Sequence, residues 1–261
     1  MRIKVILHCE KIPAIYNNRI LALIKTALSF SSKEYQENLY NSDYPKPFNY
    51  SLVFSNFFIT KEWISFNKET MLKENVFNLK DKEFSLYISS SDDIFMFNLI
   101  KGLTQLSYFD FSTKDSFNIN CKSIKIFLKK IIPIPEKNIK NNEIIFKTMY
   151  PFLFNDSEKK SIIFSDDNFE KKINGSLRKI LRFYNYNLDS HISFENIQLK
   201  KTVIKHVNSG TLRTNKPILF YNGSEGVFKL KGDNKALELI YKNGFGIRTS
   251  QGFGMLEIVK K

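Results

Sequence analysis

A glycine-rich segment near the end of the chain has the residue types and spacing of an anion-binding loop. It contains two Gly-x-Gly pairs separated by five residues: Gly244, Gly246, Gly252 and Gly254. Glycine adopts positive φ and lets a polyanion approach the backbone, where successive free N–H groups can bind phosphate. Arg248, Thr249 and Ser250 add side-chain donors. We therefore predict that this loop binds nucleic-acid phosphate.

The alternative for this segment is a loop that only tightens the path from a helix into the last strand. Two nucleotide-binding motifs are excluded. A Walker loop would continue as Gly-Lys-Ser/Thr, which this segment does not. A dinucleotide fingerprint follows a strand and opens a helix, whereas this segment follows a predicted helix and precedes a strand.

Two other stretches carry cations that a polyanion could bind. The stretch 198–207 alternates like a strand and leads into a predicted hairpin loop; its basic residues are Lys200, Lys201, Lys205, His206 and Arg213. The predicted helix 166–184 carries Lys171 and Arg178. The whole chain has 40 Lys and Arg against 26 Asp and Glu, a net charge of +14. This excess favours a nucleic-acid partner, and solvated surface is the alternative for both stretches.

Cysteine usage and hydropathy argue against a metal-binding, a secreted or a membrane-spanning protein. Cys9 and Cys121 lie far apart, and the sequence has no C-x-x-C or His/Cys cluster, so we expect no metal site and no cofactor. Sparse cysteines fit a reducing cytoplasm. No apolar run is long enough to span a membrane, and the N-terminal apolar stretch is too short for a signal peptide.

Hydrophobic periodicity in the first half predicts the order strand, helix, strand, strand, helix, strand. The predicted strands are residues 2–9, 48–58, 83–89 and 118–128. The first helix spans residues 18–30, with apolar side chains at helical spacing. The second begins after the cap-forming residues 91–93 and runs through Leu106.

A polar, proline-bearing segment, residues 132–142, separates this half from a second one with the same order of elements. The second half has predicted strands at 143–149, 194–207, 227–231 and 255–259, and helices at 166–184 and 233–242. Two βαββαβ units indicate an α+β fold of two tandem ferredoxin-like, RRM-like domains, residues 1–131 and 142–261. Such sheets often present an open face to single-stranded RNA, although neither half has an aromatic RNP motif.

The glycine-rich segment, GFGIRTSQGFGM, resembles the C-terminal motif of the repeat-associated RNA-binding superfamily. The stretches MRIKVILHCEKIPAIYNNRILALIKTALS and NLYNSDYPKPFNYSLVF are similar to the CRISPR-associated repeat-RNA endoribonucleases within it, so the resemblance spans the chain. It implies an enzyme whose partner is CRISPR repeat RNA. Such an enzyme cuts once per repeat and often keeps the product, with CRISPR effector subunits as further partners.

The resemblance also implies a chemistry and a set of site residues. Metal-independent cleavage uses the RNA's 2′-hydroxyl to attack the adjacent phosphate, which leaves a 2′,3′-cyclic phosphate and a 5′-hydroxyl. Many family members have a Tyr on the first helix, then a His, then a Lys before the next strand. Alignment on Pro-Lys-Pro-Phe-Asn-Tyr-Ser places Lys46 at the Lys position, Tyr40 at the His position and Lys25 at the helix position.

The expected His is missing from this segment, since the three histidines are His8, His191 and His206. A phenol with a pKa near 10 is a poor base, so Tyr40 is expected to orient the phosphate, while Lys25 and Lys46 stabilise charge and one acts as acid. We therefore predict slow cleavage. The alternatives are ordinary packing for Tyr40 and solvated cations for both lysines. For the protein as a whole, the alternative functions are a non-catalytic subunit that binds repeat RNA and a regulator that binds a small ligand.

Overall fold

The computed structural model of the chain describes residues 1–42, 44–137, 139–156, 158–207 and 218–259. In chain order the elements are β1 (Arg2–His8), β2 (Lys11–Pro13), α1 (Asn17–Ser31), α2 (Lys33–Asn41), β3 (Phe48–Val53), β4 (Phe57–Ser65), β5 (Met71–Leu79), β6 (Glu83–Ser90), α3 (Asp93–Gln105), β7 (Tyr108–Asp110), β8 (Lys125–Ile134), β9 (Glu143–Thr148), β10 (Phe154–Asn155), β11 (Ser161–Ile162), α4 (Phe169–Arg182), β12 (Ser193–Val207), β13 (Ile218–Lys231), α5 (Asn234–Asn243) and β14 (Leu256–Ile258). Within these ranges, none of the helices has the length and apolar character needed to cross a membrane.

The first unit is a five-stranded sheet with strand order β3-β6-β1-β8-β7. Alternation along β1 buries Ile3, Val5 and Leu7 on one face, where they join a core shared with α1 and α3. The two helices pack closely because α3 has a glycine at the crossing. A Cβ on Gly102 would lie 1.7 Å from the carbonyl oxygen of Ala27. This crossing fixes α1, the first helix, on the sheet.

The second unit is a four-stranded sheet with strand order β12-β13-β9-β14, covered by α4 and α5. Its core is a cluster of phenylalanine rings; Phe245, for example, packs 5.0 Å from both Phe152 and Phe228 between ring centroids. Each unit contains the four strands of the βαββαβ pattern. In both sheets these strands lie side by side in the order second, third, first, fourth along the chain. The predicted tandem ferredoxin-like fold is therefore confirmed.

Several predicted boundaries were wrong in the first unit. The strand predicted at 48–58 ends at Val53, and a second strand, β4, starts at Phe57. β4 and β5 form a hairpin that joins β2 in a separate three-stranded sheet, which was not predicted. The strand predicted at 118–128 starts only at Lys125, because Asn120 and Cys121 have positive φ and form a turn. β8 then continues to Ile134, beyond the predicted end of the first domain.

Candidate functional site

The structure brings together the three side chains that the resemblance singled out. The Lys25 ammonium lies 4.0 Å from the centroid of the Tyr40 ring, and the Lys46 ammonium lies 5.8 Å from the same centroid. Both distances are within the range of a cation–π interaction. One aromatic ring therefore contacts two ammonium groups, and both lysines are half-buried. We call these three residues the lysine–tyrosine cluster.

Three consecutive segments position the cluster. Lys25 lies on α1, at the edge of the face that the helix buries. Helix α2, which carries Tyr40, was not predicted; Ser32 caps it by accepting a hydrogen bond from the Tyr35 N–H at 3.2 Å. The Lys46 ammonium donates to the Ser42 carbonyl at 2.5 Å and to the Ser42 hydroxyl at 3.0 Å. The turn after α2 thereby holds Lys46 back against Tyr40.

The hydroxyl of Tyr40 does not face the surface. It is buried and, among the described residues, has no hydrogen-bond partner. Burial raises the pKa of Tyr40 above its ordinary value, so the phenol is even less able to act as a base. The expectation that this hydroxyl orients the phosphate does not fit its burial. The ring of Tyr40 instead supports the two ammonium groups, which makes it a positioning residue.

The Lys25 ammonium is partly shielded from water. Partial burial lowers the pKa of its ammonium below the ordinary value. A lowered pKa brings a lysine closer to neutral pH, and a general acid works best when its pKa lies near the working pH. The cluster can thus offer positive charge from two lysines and a proton from one of them.

The glycine-rich loop, residues 244–254, packs between the two units instead of lying open on the surface. Its four glycines are buried and all have positive φ. A Cβ on Gly252 would lie 2.7 Å from the Tyr50 ring on β3 and 3.0 Å from the Asn17 amide nitrogen at the start of α1. The Asn17 amide also donates to the Gln251 carbonyl at 2.9 Å. The loop therefore contacts the helix that carries Lys25 and the strand that follows Lys46.

Several backbone N–H groups of this loop already have partners within the protein. The N–H groups of Phe245, Ile247 and Gly254 donate to carbonyl oxygens at 2.9 Å. Thr249 is buried and Ser250 is half-buried, whereas Arg248 is exposed and lies 4.9 Å from the Tyr221 ring. Phosphate binding by the loop stays a prediction, and Arg248 is the residue best placed for it.

His206 was expected on the RNA-binding surface, but this was wrong because the side chain is only 2% exposed. Its ring packs 5.7 Å from both Tyr221 and Phe253 between centroids. Burial, helped by the nearby Arg248 charge, lowers the pKa of His206 to about 4. The histidine is therefore a neutral part of the packing under the glycine-rich loop.

We expect stability to fall in acid because of His206. Between pH 6.5 and about 4 the unfolded chain binds a proton at His206 and the folded chain does not, so unfolding becomes easier as pH falls. The free energy of unfolding should drop by about 3 kcal/mol more in the wild type than in His206→Leu between pH 7 and pH 4. Denaturant unfolding of the wild type and of His206→Leu across this range checks it. Parallel pH curves for wild type and His206→Leu would contradict the assignment.

The other predicted cations occupy different environments. Lys200 and Lys201 are exposed on β12, and the Lys200 ammonium lies 3.1 Å from a Glu225 carboxylate oxygen. The Lys205 ammonium donates to both carboxylate oxygens of Glu74 on β5, at 2.9 and 2.8 Å, so it joins the two units. Lys171 and Arg178 are exposed on the outer face of α4, and Arg213 lies outside the described residues. RNA binding by these cations stays a prediction.

Comparison with known proteins shows similarity to CRISPR-associated Cas6 proteins. The family model for the C-terminal region of CRISPR-associated protein Cas6 matches residues 134–258. The "CRISPR-associated endoribonuclease Cas6 1" of Methanocaldococcus jannaschii is 26% identical over 264 residues, which covers 98% of this chain and 92% of that protein. Along nearly its whole length, this chain is similar to a Cas6 endoribonuclease. The matched C-terminal region includes the glycine-rich loop.

Solved structures share the fold of this chain. One, described as a Cas6-related gene product from Pyrococcus furiosus, superposes with a TM-score of 0.76 at 21% identity and covers 100% of this chain and 99% of that one. Another, described as a RAMP protein binding different RNA substrates, has a TM-score of 0.77 at 19% identity and covers 100% of both chains. Both similarities show the tandem fold over the whole length.

Two features of the site were missed at the level of sequence. The first is α2, although Ser32 followed by Glu34 in the first turn is an N-terminal helix signature that pointed to it. The second is the contact between the glycine-rich loop and α1. No local signal predicts that contact, because Asn17 and Gln251 are far apart in sequence.

Proposed function

We propose that this chain processes CRISPR repeat RNA by bringing the scissile phosphate onto the lysine–tyrosine cluster. Its similarity to Cas6 endoribonucleases supports the reaction, cleavage of repeat RNA. The observation that supports the site is the pair of ammonium groups, Lys25 and Lys46, held on the ring of Tyr40. A dianionic phosphorane is the species such a pair stabilises best.

In the proposed reaction the participants are the RNA, water and these side chains. The 2′-oxygen of the RNA forms a bond to phosphorus as its proton passes to solvent, and the bond from phosphorus to O5′ breaks. Lys25 and Lys46 stabilise the negative charge that builds up on the phosphorane. Lys25, with its lowered pKa, donates a proton to O5′ and regains one from water. The products are a 2′,3′-cyclic phosphate and a 5′-hydroxyl.

The rate should be modest because, among the residues that the structure describes, neither Tyr40 nor a histidine is placed to act as general base at the cluster. Tyr40 is excluded by its raised pKa and its buried hydroxyl. His206 is buried and packs against the rings of Tyr221 and Phe253. Catalysis then depends on positioning and electrostatics, and we expect it to be slow. A slow rate is compatible with an enzyme that keeps its product bound.

Cations outside the cluster would bind the rest of the RNA. We assign this role to the exposed residues Lys171, Arg178, Lys200, Lys201 and Arg248. Lys171 and Arg178 lie on one face of α4, seven residues apart, so they can follow one stretch of backbone phosphate. Domain 142–261 would then bind much of the RNA, and domain 1–131 would carry out the chemistry. The two free cysteines fit a protein that works in a reducing cytoplasm.

We expect the α4 cations to contribute to the salt dependence of binding. Each phosphate contact adds about 0.7–0.9 to the slope of log Kd against log salt concentration, so Lys171→Gln with Arg178→Gln should lower the slope by about 1.5. Filter binding of repeat RNA over a salt series measures it. Lys68→Gln, an exposed lysine in the turn after β4, is the matched control and should keep the wild-type slope. An unchanged slope in the double variant would remove α4 from the interface.

One experiment separates the enzyme from its rival, a repeat-RNA-binding subunit without activity. End-labelled CRISPR repeat RNA is incubated with excess protein in EDTA, and both binding and product are followed. A product that accumulates in a single turnover supports the proposal. Tight binding with no product over days supports the binding subunit, and weak binding equal to that of an unrelated RNA contradicts both.

A further inference from the structure

An exposed pair of aromatic rings joins the two units next to the lysine–tyrosine cluster. Tyr44 lies in the turn after α2, two residues before Lys46, and Phe183 caps α4. The ring centroids are 5.4 Å apart, with the planes tilted by 50°. Tyr44 is 65% exposed and Phe183 is 47% exposed, so much of their apolar surface remains in water. Little of that area contributes to folding, which leaves the pair open to a ligand.

The charges around the pair indicate what that ligand is. Lys46 follows Tyr44 in the same turn, and Lys179 and Arg182 are exposed in the last turn of α4 beside Phe183. Aromatic surface flanked by cations on both sides is the arrangement that binds single-stranded nucleic acid, where the rings stack on bases and the cations bind phosphates.

We propose that Tyr44 and Phe183 form a stacking site for one unpaired nucleobase next to the scissile phosphate. The proposal rests on the function given above, because it takes the phosphate to lie at Lys25 and Lys46. A base and its phosphate belong to one nucleotide, so stacking on the pair fixes which phosphate reaches the cluster. Stacking accepts any base, so the site selects an unstacked nucleotide and not a sequence. Tyr44 and Phe183 are positioning residues.

The test pairs protein variants with RNA that lacks single bases. A synthetic CRISPR repeat RNA from the same genome is prepared with one abasic nucleotide at each position around the cut, and Kd is measured with wild type, Tyr44→Leu and Phe183→Leu. Stacking of one base corresponds to roughly 5- to 150-fold in Kd. We expect one abasic position to weaken wild-type binding by such a factor. Each Leu variant should lose a similar factor on intact RNA and nothing more on that abasic RNA.

Controls separate stacking from a contact that merely holds the two units together. Tyr44→Trp should restore the Kd and the sensitivity to the abasic position, since it supplies a larger ring. Phe97→Leu, at a residue 67% exposed on α3, is the matched control and should bind like the wild type. The thermal unfolding midpoint is measured for every variant.

If the losses of affinity caused by the abasic position and by a Leu substitution were additive, the stacking proposal would be overturned. A Leu variant with a lower unfolding midpoint but an unchanged Kd would also overturn it. These outcomes are distinct from failure of the proposed function, in which wild type binds the repeat but leaves it intact in a single turnover. The Kd comparison still tests stacking in that case.

Discussion

Lys25→Met and Lys46→Met should each slow single-turnover cleavage of the repeat roughly 10²–10³-fold, because each removes one preorganised positive charge from the phosphorane. The double variant should lose less than the product of the two factors, since both ammonium groups act on the same charge and share the Tyr40 ring. Rates are measured with saturating protein, so that weaker RNA binding does not enter.

Three comparisons make this result specific. Lys33→Met removes a lysine whose side chain is 80% exposed on α2, the same helix as Tyr40, and should keep the wild-type rate. Tyr40→Leu should slow cleavage more than Tyr40→Phe, because the ring and not the hydroxyl contacts the lysines. If Lys33→Met and Lys25→Met gave equal rates, the cluster would not be the reaction centre.

Gly252→Ala should destabilise the protein by about 3 kcal/mol, from strain at positive φ and from overpacking. Gly252 has φ +90, and an added Cβ would lie 2.7 Å from the fully buried Tyr50 ring. The ring cannot move aside without disturbing the hydrogen bond of 2.6 Å that its hydroxyl donates to the Asn17 carbonyl. Since Asn17 starts α1, the variant should also slow cleavage at temperatures where it remains folded.

The control for this variant is a glycine with room around it. Gly175 is exposed within α4, and a Cβ there would meet nothing within 4 Å. Gly175→Ala should therefore stabilise the protein by about 0.5–1 kcal/mol, as expected for alanine in a helix interior. Denaturant unfolding measures both variants. Equal and small effects at the two glycines would mean that the glycine-rich loop does not hold α1 and β3 in place.

The order of strands and helices was predictable because each unit buries one face of each element. Helix α1 was predicted at 18–30 and spans Asn17–Ser31, since its apolar residues recur at helical spacing. The hairpin of β4 and β5 was not predicted, because the start of β4 lacks such periodicity. Phe57, Phe58 and Ile59 are consecutive and all exposed, so the start of β4 has no alternation of polar and apolar residues.

The site was predictable only in part. Motif alignment selected Lys25, Tyr40 and Lys46, and these three residues meet in space. The burial of His206 was not predictable, because its basic neighbours in sequence suggested a surface strand while Phe253, far along the chain, covers it. The four glycines of the loop use the positive φ that glycine permits, but their contacts with β3 and α1 depend on how two separate units pack together.

The most direct test of the account is a single 2′-deoxy substitution in the repeat RNA, immediately 5′ of the scissile phosphate. The wild-type protein should bind this RNA as tightly as the all-ribose repeat and leave it uncut. The all-ribose repeat should give a product that ends in a 2′,3′-cyclic phosphate, identified by mass spectrometry. Cleavage of the 2′-deoxy RNA at the same position would contradict attack by the RNA's own hydroxyl and, with it, the role given to Lys25 and Lys46.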